Sequence, residues 1–187
     1  MAFAAGMMLI AVLRYRRFIP FIVFGGLLLL LLPQTQAYID RFMQGFAGQD
    51  LATQMRIGEY TDSFRLISRY PIFGVGFTGT PENDIYTNAA SLYLIMANQI
   101  GLVGVAIFLT TMGGVFVYGL ITFRRARVNP ELDSIHLGYH IAVLTALVNG
   151  AADLYFFRID FQASILLFWS TVGLALASSR LVESTVD

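Results

Sequence analysis

The chain has 187 residues and no net charge at pH 7, with 57% hydrophobic residues, 13% charged residues and no cysteine. Soluble domains carry about a quarter charged residues, so this composition excludes an ordinary soluble domain. The absence of cysteine excludes a disulfide framework and a thiolate metal site, and the neutral net charge gives no reason to expect a nucleic-acid partner.

Long uncharged runs predict an all-α integral membrane protein with about five transmembrane helices. About 20 apolar residues in a helix cross the core of a bilayer, and continuous apolar runs favour helices over the alternating strands of a membrane barrel. The predicted spans are residues 2–13, 18–32, 91–123, 135–154 and 161–179. We interpret the short first run as the tail of a truncated span, so that residues 1–187 form one membrane domain, the C-terminal part of a longer protein.

Arginine-rich segments orient the predicted spans. Cytoplasmic loops are enriched in Lys and Arg, and two short segments, RYRR at residues 14–17 and RRAR at residues 124–127, meet this description. With both segments inside the cell, residues 34–88 form one long extracytoplasmic loop. The chain is then a multi-pass membrane protein whose spans contact membrane lipids.

The third span lies in an uncharged run, residues 85–123, that is longer than one crossing requires. Two full spans would place RRAR outside, so we predict one long passage that is tilted or interrupted. The segment NQIGLVG, residues 98–104, offers polar groups and two glycines at which a break could fall. Gly113 and Gly114 are the other candidate position.

A helix is predicted over residues 54–70, within the extracytoplasmic loop. Its apolar residues recur at the spacing of one helical stripe, and they are Ile57, Tyr60, Phe64 and Ile67. Arg56 lies at the edge of this stripe, which we expect to pack against the protein. Arg65 and Arg69 lie nearly opposite, in water, with Asp62 one turn away as a partner.

The segment SRYPIFGVGFTG, residues 68–79, predicts a tight turn after this helix. Pro71 ends the helix, because the residue before a proline is disfavoured in the α region. Gly74, Gly76 and Gly79 permit a turn that side chains would block. The spacing GxGxxG occurs here, but the dinucleotide-binding motif of that spacing follows a strand, so we reject a dinucleotide site.

In their order and spacing, these elements resemble the O-antigen ligase and O-antigen polymerase family of bacterial envelope glycan transferases. The family pattern is an arginine, a Pro-x-x-Gly-x-Gly turn, and a span that begins with a His-Asn-x-Tyr-Leu motif and ends in Gly-x-x-Gly. The matching residues here are Arg56, Pro71, Gly74, Gly76, Tyr93, Leu94, Gly101 and Gly104. The late segment LVNGAADLYFFRIDFQASILLFWSTVGLALA, residues 147–177, resembles the family's last two spans.

The resemblance implies a glycosyltransferase that needs no metal or cofactor and acts on the outer face of the bacterial inner (cytoplasmic) membrane. Its donor would be a lipid-linked oligosaccharide on undecaprenyl diphosphate, ligated to or polymerised on a glycan or lipid acceptor, with missing N-terminal spans of the same protein completing the site. It implies that Arg56 is catalytic, because a diphosphate leaving group needs positive charge where its own charge develops. The substrate-binding residues it implies are Arg56, Arg69, Gly74, Gly76 and Tyr93.

One departure from the family pattern concerns the start of the third span. Ala90 and Ser91 stand where the ligases tend to have His-Asn. The histidine thought to assist transfer is therefore missing from its place, which favours a polymerase or a divergent member over a lipid A-core ligase. Arg56 also has a structural alternative, an ion pair with Glu59.

Other polar residues have a structural interpretation beside the functional one. Glu82 and Asp84 could supply a base for an acceptor hydroxyl or form an ordinary polar loop tip. His136 and His140 share one helix face but lack a third metal ligand, which favours a pair at the membrane interface. For the whole chain the alternative is a transporter or flippase segment without transfer chemistry, although its polar residues collect in the outside loop rather than at mid-membrane depth.

Overall fold

The structure, a computed structural model, describes residues 2–31, 36, 51–77, 89–157 and 162–186. Within these ranges the regular elements are helical. The α-helices are α1 (Ala2–Arg14), α2 (Ile19–Leu30), α3 (Leu51–Arg69), α4 (Leu92–Ala126), α5 (Pro130–Gly150) and α6 (Gln162–Val186), and short 3-10 turns lie at Arg16–Phe18 and Tyr155–Phe157. The predicted all-α class is therefore confirmed for the described part of the chain.

Two of the helices are long and apolar enough to cross a membrane, namely α4 and residues Gln162–Thr185 of α6. The other three predicted spans coincide with α1, α2 and α5, and their passage through a membrane stays a prediction. The helix predicted over residues 54–70 is observed as α3. Its placement outside the membrane, within the loop of residues 34–88, stays a prediction.

The core of the bundle lies between α4, α5 and α6, and α1 packs against α5. Phe168 of α6 is 1% exposed and lies beside Phe108 of α4, with 6.4 Å between the ring centroids. Met112 and Val143 are buried next to them. Because lipid tails are as apolar as leucine, close packing of this kind is the main attraction between helices in a membrane.

The arginine-rich segments lie at one end of the bundle. Arg14 ends α1, and its Nη1 lies 3.1 Å from Oδ2 of Asp133, a buried carboxylate in the first turn of α5. That turn follows directly on the RRAR segment at the end of α4. At the same end, the Tyr118 hydroxyl of α4 donates to Glu183 near the end of α6 over 2.7 Å. This arrangement supports the assignment of both segments to the same side of the membrane.

The two histidines lie inside the helix bundle rather than at an interface with lipid or water. His136 and His140 are 1% and 9% exposed. The Nε2–H of His136 donates to the Gly119 carbonyl over 3.0 Å, and the Nδ1–H of His140 donates to the His136 carbonyl over 2.8 Å. The prediction of an interfacial pair is therefore wrong. The two rings join α5 to α4, where Gly119 has no side chain and so leaves room for them. The described residues contain no group of three potential metal ligands.

Replacing Gly119 with alanine is expected to loosen this contact. A Cβ at Gly119 would collide with the imidazole of His140, and overpacking of this kind costs about 1–3 kcal/mol. Thermal unfolding in detergent measures the effect. Gly114→Ala is the matched control, because it lies in the same helix and an added Cβ meets nothing within 4 Å. Equal stability of the two variants would contradict the assigned role of Gly119.

Candidate functional site

The face of α3 that packs against α4 is defined by buried Ser63 and Leu66. The Asn98 side chain of α4 is buried as well, and its Nδ2–H donates to Ser63 Oγ over 3.1 Å. Asn98 is the polar residue that begins the segment NQIGLVG. A buried polar contact and one leucine therefore hold α3 on α4.

The predicted packing stripe of α3 is wrong. Ile57 and Phe64 are 57% and 61% exposed, and the other two members of the stripe, Tyr60 and Ile67, are half-buried. In a soluble protein an apolar stripe identifies the side facing the core. A helix at a membrane surface can turn its apolar side to lipid instead, so this pattern does not identify the side that contacts protein.

The turn after α3 forms where the sequence predicts it as far as residue 77, while Gly79 lies outside the described residues. The helix ends at Arg69, two residues before Pro71. The Gly74 N–H donates to the Tyr70 carbonyl over 3.2 Å, and both Gly74 and Gly76 have positive φ, at 66° and 82°. Glycine adopts this region without the Cβ penalty of other residues.

The α4 helix is broken at Gly101, which has φ 71° and ψ −178°. Such a break leaves carbonyls before it and N–H groups after it without helical partners. The turn after α3 pairs with four of these groups through backbone hydrogen bonds: Val75 N–H to Asn98 O at 2.8 Å, Gly76 N–H to Gln99 O at 2.9 Å, Leu102 N–H to Pro71 O at 2.8 Å, and Val103 N–H to Ile72 O at 3.4 Å. The turn and the break therefore form one structural unit, which we call the turn–break junction (residues 71–76 and 98–103).

Two glycines allow the two backbone segments of the junction to come within hydrogen-bonding distance of each other. A Cβ at Gly74 would collide with the Asn98 carbonyl, and a Cβ at Gly101 would collide with the Ile72 carbonyl. The sequence predicted a break either within residues 98–104 or at Gly113 and Gly114. The structure confirms the first alternative.

Arg56 lies on the side of α3 that contacts α4. Arg56, Glu59 and Ser63 are at positions i, i+3 and i+7, which share one helix face. Arg56 is exposed, and within the described ranges its guanidinium has no ion-pair partner. The Glu59 carboxylate is directed elsewhere, because its Oε2 accepts the N–H of Ala90, just before α4, over 3.2 Å. The alternative ion pair between Arg56 and Glu59 is absent from the structure.

The other arginines of α3 occupy a different side. Arg65 Nη1 lies 3.6 Å from Asp62 Oδ1, so the predicted partner is confirmed. Arg69 is exposed at the end of the helix. It lies 13 residues after Arg56, and at 1.5 Å per residue the two positions are about 20 Å apart along the axis. Arg56 and Arg69 therefore lie too far apart for both to contact one phosphate group from the same side of α3.

The remaining predicted site residues take part in contacts within the protein. The Tyr93 hydroxyl donates to the Leu147 carbonyl over 2.8 Å and so ties α4 to α5. The Gly74 N–H donates to the Tyr70 carbonyl within the turn, and the Gly76 N–H donates to the Gln99 carbonyl of α4. For Tyr93, Gly74 and Gly76 these hydrogen bonds within the protein are observed, whereas contacts with a substrate stay predictions. Glu82 and Asp84 lie outside the described residues.

The sequence did not predict the contacts that Glu59, Ser63 and Asn98 make between α3 and α4. Asn98 carried a local signal, since it is a polar residue within an uncharged apolar run and lies three residues before the glycine of the break. Glu59 and Ser63 carried none, because their partners lie more than 30 residues away in the chain. Only the fold brings these contacts together.

The fold and the site define an all-helical membrane protein with a broken helix and an exposed arginine beside it. A family model described as O-antigen ligase matches residues 1–109. The chain belongs to this O-antigen ligase family. The match includes α3, the turn–break junction and the start of α4, whereas the predicted resemblance of residues 147–177 lies beyond it and stays a prediction. A search of curated proteins and a search of solved structures each returned no match.

Proposed function

We propose that the protein transfers a glycan from an undecaprenyl-diphosphate carrier to a glycan or lipid acceptor on the outer face of the bacterial inner membrane. The observation that carries the proposal is the exposed guanidinium of Arg56, without an ion-pair partner among the described residues, on the face of α3 that docks against α4. Membership of the O-antigen ligase family suggests glycan transfer of the ligase or polymerase type.

The dimensions of α4 support a site at the membrane surface. Gly101 and Arg124 are 23 residues apart, which corresponds to about 35 Å of helix, slightly more than the roughly 30 Å hydrocarbon core. With Arg124 and Arg125 at the cytoplasmic surface, the turn–break junction lies near the outer surface. Arg56 lies seven residues before Ser63, which is about 10 Å further along α3, and we expect it to meet the diphosphate of a membrane-embedded carrier there.

Arginine suits the chemistry of this donor. When the bond between the sugar and the diphosphate breaks, negative charge grows on the departing phosphate oxygen. A guanidinium remains protonated, binds two phosphate oxygens at once and stabilises that charge. Arg56 supplies this group, and we expect Arg69, which lies exposed about 20 Å further along α3, to contact a second part of the substrate.

A broken helix in a membrane is also a feature of transporters, in which the freed backbone groups coordinate an ion or a substrate. The backbone hydrogen bonds of the turn–break junction use the carbonyls of Asn98 and Gln99 and the N–H groups of Leu102 and Val103. These groups are therefore occupied by the protein itself. This supports a transferase over a transporter or flippase segment.

The test is a transfer assay with the complete protein in liposomes. The substrates are an undecaprenyl-diphosphate oligosaccharide and an acceptor glycan or lipid. We expect an elongated or ligated product together with released undecaprenyl diphosphate, without added metal. Movement of the intact lipid-linked oligosaccharide across the liposome membrane without any product would instead support the flippase alternative and contradict the proposal.

A further inference from the structure

Among the described residues, one carboxylate oxygen of Glu59 accepts a hydrogen bond and the other does not. Its Oε2 accepts the Ala90 N–H over 3.2 Å, which holds the half-buried side chain at the start of α4. Its Oε1 accepts no hydrogen bond from the described residues. Arg56 lies one turn earlier on the same face of α3. A carboxylate and a guanidinium that do not pair with each other therefore lie side by side at the outer end of the bundle.

Glycan transfer to a hydroxyl uses both a base, which takes the proton of the acceptor hydroxyl, and a cation, which stabilises the departing diphosphate. The acceptor oxygen attacks the anomeric carbon from one side while the diphosphate leaves from the other, and the attacking hydroxyl must lose its proton. Residues three apart on a helix have Cβ atoms about 5–6 Å apart. Where two carboxyl groups of an inverting glycosidase act on opposite sides of a sugar, they are about 6.5–9.5 Å apart, a separation that two long side chains can span from neighbouring positions.

We propose that Glu59 is the general base of the transfer reaction, an inference that rests on the proposed function. Glu59 Oε1 accepts the proton of the acceptor hydroxyl as the acceptor oxygen forms its bond to the anomeric carbon. The bond from that carbon to the diphosphate oxygen breaks, and its electron pair leaves with the diphosphate, which Arg56 holds. The proton on Glu59 is then released to water. Charge and atoms balance without a metal or a redox partner.

The structural alternative is that Glu59 only caps the start of α4. The Ser91 side chain makes no capping hydrogen bond, so a second residue that fixes this end of the helix has structural value. Glutamine distinguishes the two roles, because its carbonyl oxygen can still accept the Ala90 N–H but an amide cannot take up the proton. A cap survives the change Glu59→Gln, whereas a base does not.

The experiment compares Glu59→Gln with the unmodified complete protein in the transfer assay. We expect kcat to fall about 10²-fold, within the range that a general base contributes, with KM for the lipid-linked donor unchanged. Azide needs no deprotonation, so it should attack the donor directly and restore donor cleavage in Glu59→Gln, with a glycosyl azide as product. Azide should not restore activity in Arg56→Ala.

The matched control is Glu183→Gln. Glu183 accepts a hydrogen bond from Tyr118 at the opposite end of the bundle, and we expect this variant to transfer glycan at the unmodified rate. Glu82→Gln and Asp84→Asn are made in parallel. The inference is overturned if Glu59→Gln keeps its kcat, if azide does not restore its donor cleavage, or if azide instead restores a defective Glu82 or Asp84 variant.

The same assay separates this inference from the proposed function. If the unmodified protein transfers no glycan, or if Arg56→Ala transfers it at the full rate, the proposed function fails. If the unmodified protein is active and Arg56→Ala is inactive while Glu59→Gln is unaffected, only the role of Glu59 fails.

Discussion

Replacing Arg56 with alanine in the complete protein is expected to lower kcat for glycan transfer by about 10²–10³-fold, the loss typical when one group that stabilises developing charge is removed. The guanidinium is exposed and has no ion-pair partner among the described residues, so its removal leaves no buried charge behind. Changes at such surface positions usually alter stability by less than about 0.5 kcal/mol. Rates in liposomes and thermal unfolding in detergent measure the two effects separately.

Two further variants refine this prediction. Arg56→Lys keeps the charge but cannot bind two phosphate oxygens in a planar fork, so we expect a rate between those of the unmodified protein and Arg56→Ala. Arg65→Ala is the matched control, because Arg65 lies nine residues away, about 180° around the helix, and pairs with Asp62. An unchanged rate in Arg56→Ala, or an equal loss in Arg65→Ala, would show that Arg56 has no special part in transfer.

The local rules of helix formation predicted where α3 ends and gave two candidate positions for the break in α4. Pro71 marked the end of α3, and the glycines within residues 98–104 marked the break in α4. Both predictions depend on backbone geometry that a few neighbouring residues determine. The same is true of the pairing between Asp62 and Arg65, which are one helical turn apart.

The side of α3 that contacts protein could not be predicted in this way. The apolar stripe of Ile57 and Phe64 remains exposed, while Ser63 is buried against Asn98. Apolar periodicity indicates which side avoids water, and for a helix at a membrane surface both lipid and protein satisfy that condition. The side of α3 that contacts α4 is determined by a hydrogen bond between residues 35 positions apart in the sequence. A local sequence pattern does not contain this information.

Local sequence patterns also did not predict the backbone hydrogen bonds of the turn–break junction. The glycines indicated that the chain could turn after Pro71 and could break near Gly101. They did not indicate that each segment satisfies the backbone groups left open by the other. Within the hydrocarbon core such groups must be satisfied by the protein, and here a loop distant in sequence pairs with four of them. As a result α3, which carries Arg56 and Glu59, is fixed to α4.

The second large effect is expected at this junction, where Gly101→Ala should lower the free energy of unfolding by at least about 3 kcal/mol. With φ 71° and ψ −178°, Gly101 occupies a region that is essentially restricted to glycine, where another residue costs of order 1–3 kcal/mol. The added Cβ would also collide with the Ile72 carbonyl. Relief of that collision requires the turn to move away from α4, which breaks backbone hydrogen bonds and leaves their groups unsatisfied.

Two other glycines provide graded controls for Gly101→Ala. Gly113→Ala lies in the same helix with nothing within 4 Å of the added Cβ, and alanine in a helix interior should stabilise it by about 0.5–1 kcal/mol relative to glycine. Gly76→Ala has φ 82° but open space, so it should lose only the conformational term, about 1–2 kcal/mol. Thermal unfolding gives the order of stability.

Hydrogen exchange locates the change that the stability measurement detects. In Gly101→Ala the N–H groups of Val75, Gly76 and Leu102, which donate across the turn–break junction, should exchange faster than in the unmodified protein, whereas in Gly113→Ala they should not. Release of the turn also frees α3, so Gly101→Ala should transfer glycan more slowly even at temperatures where it remains folded. If Gly101→Ala matched Gly113→Ala in stability and kept these N–H groups protected, α4 would not need its break, and a fixed α3 could not be the basis of the site.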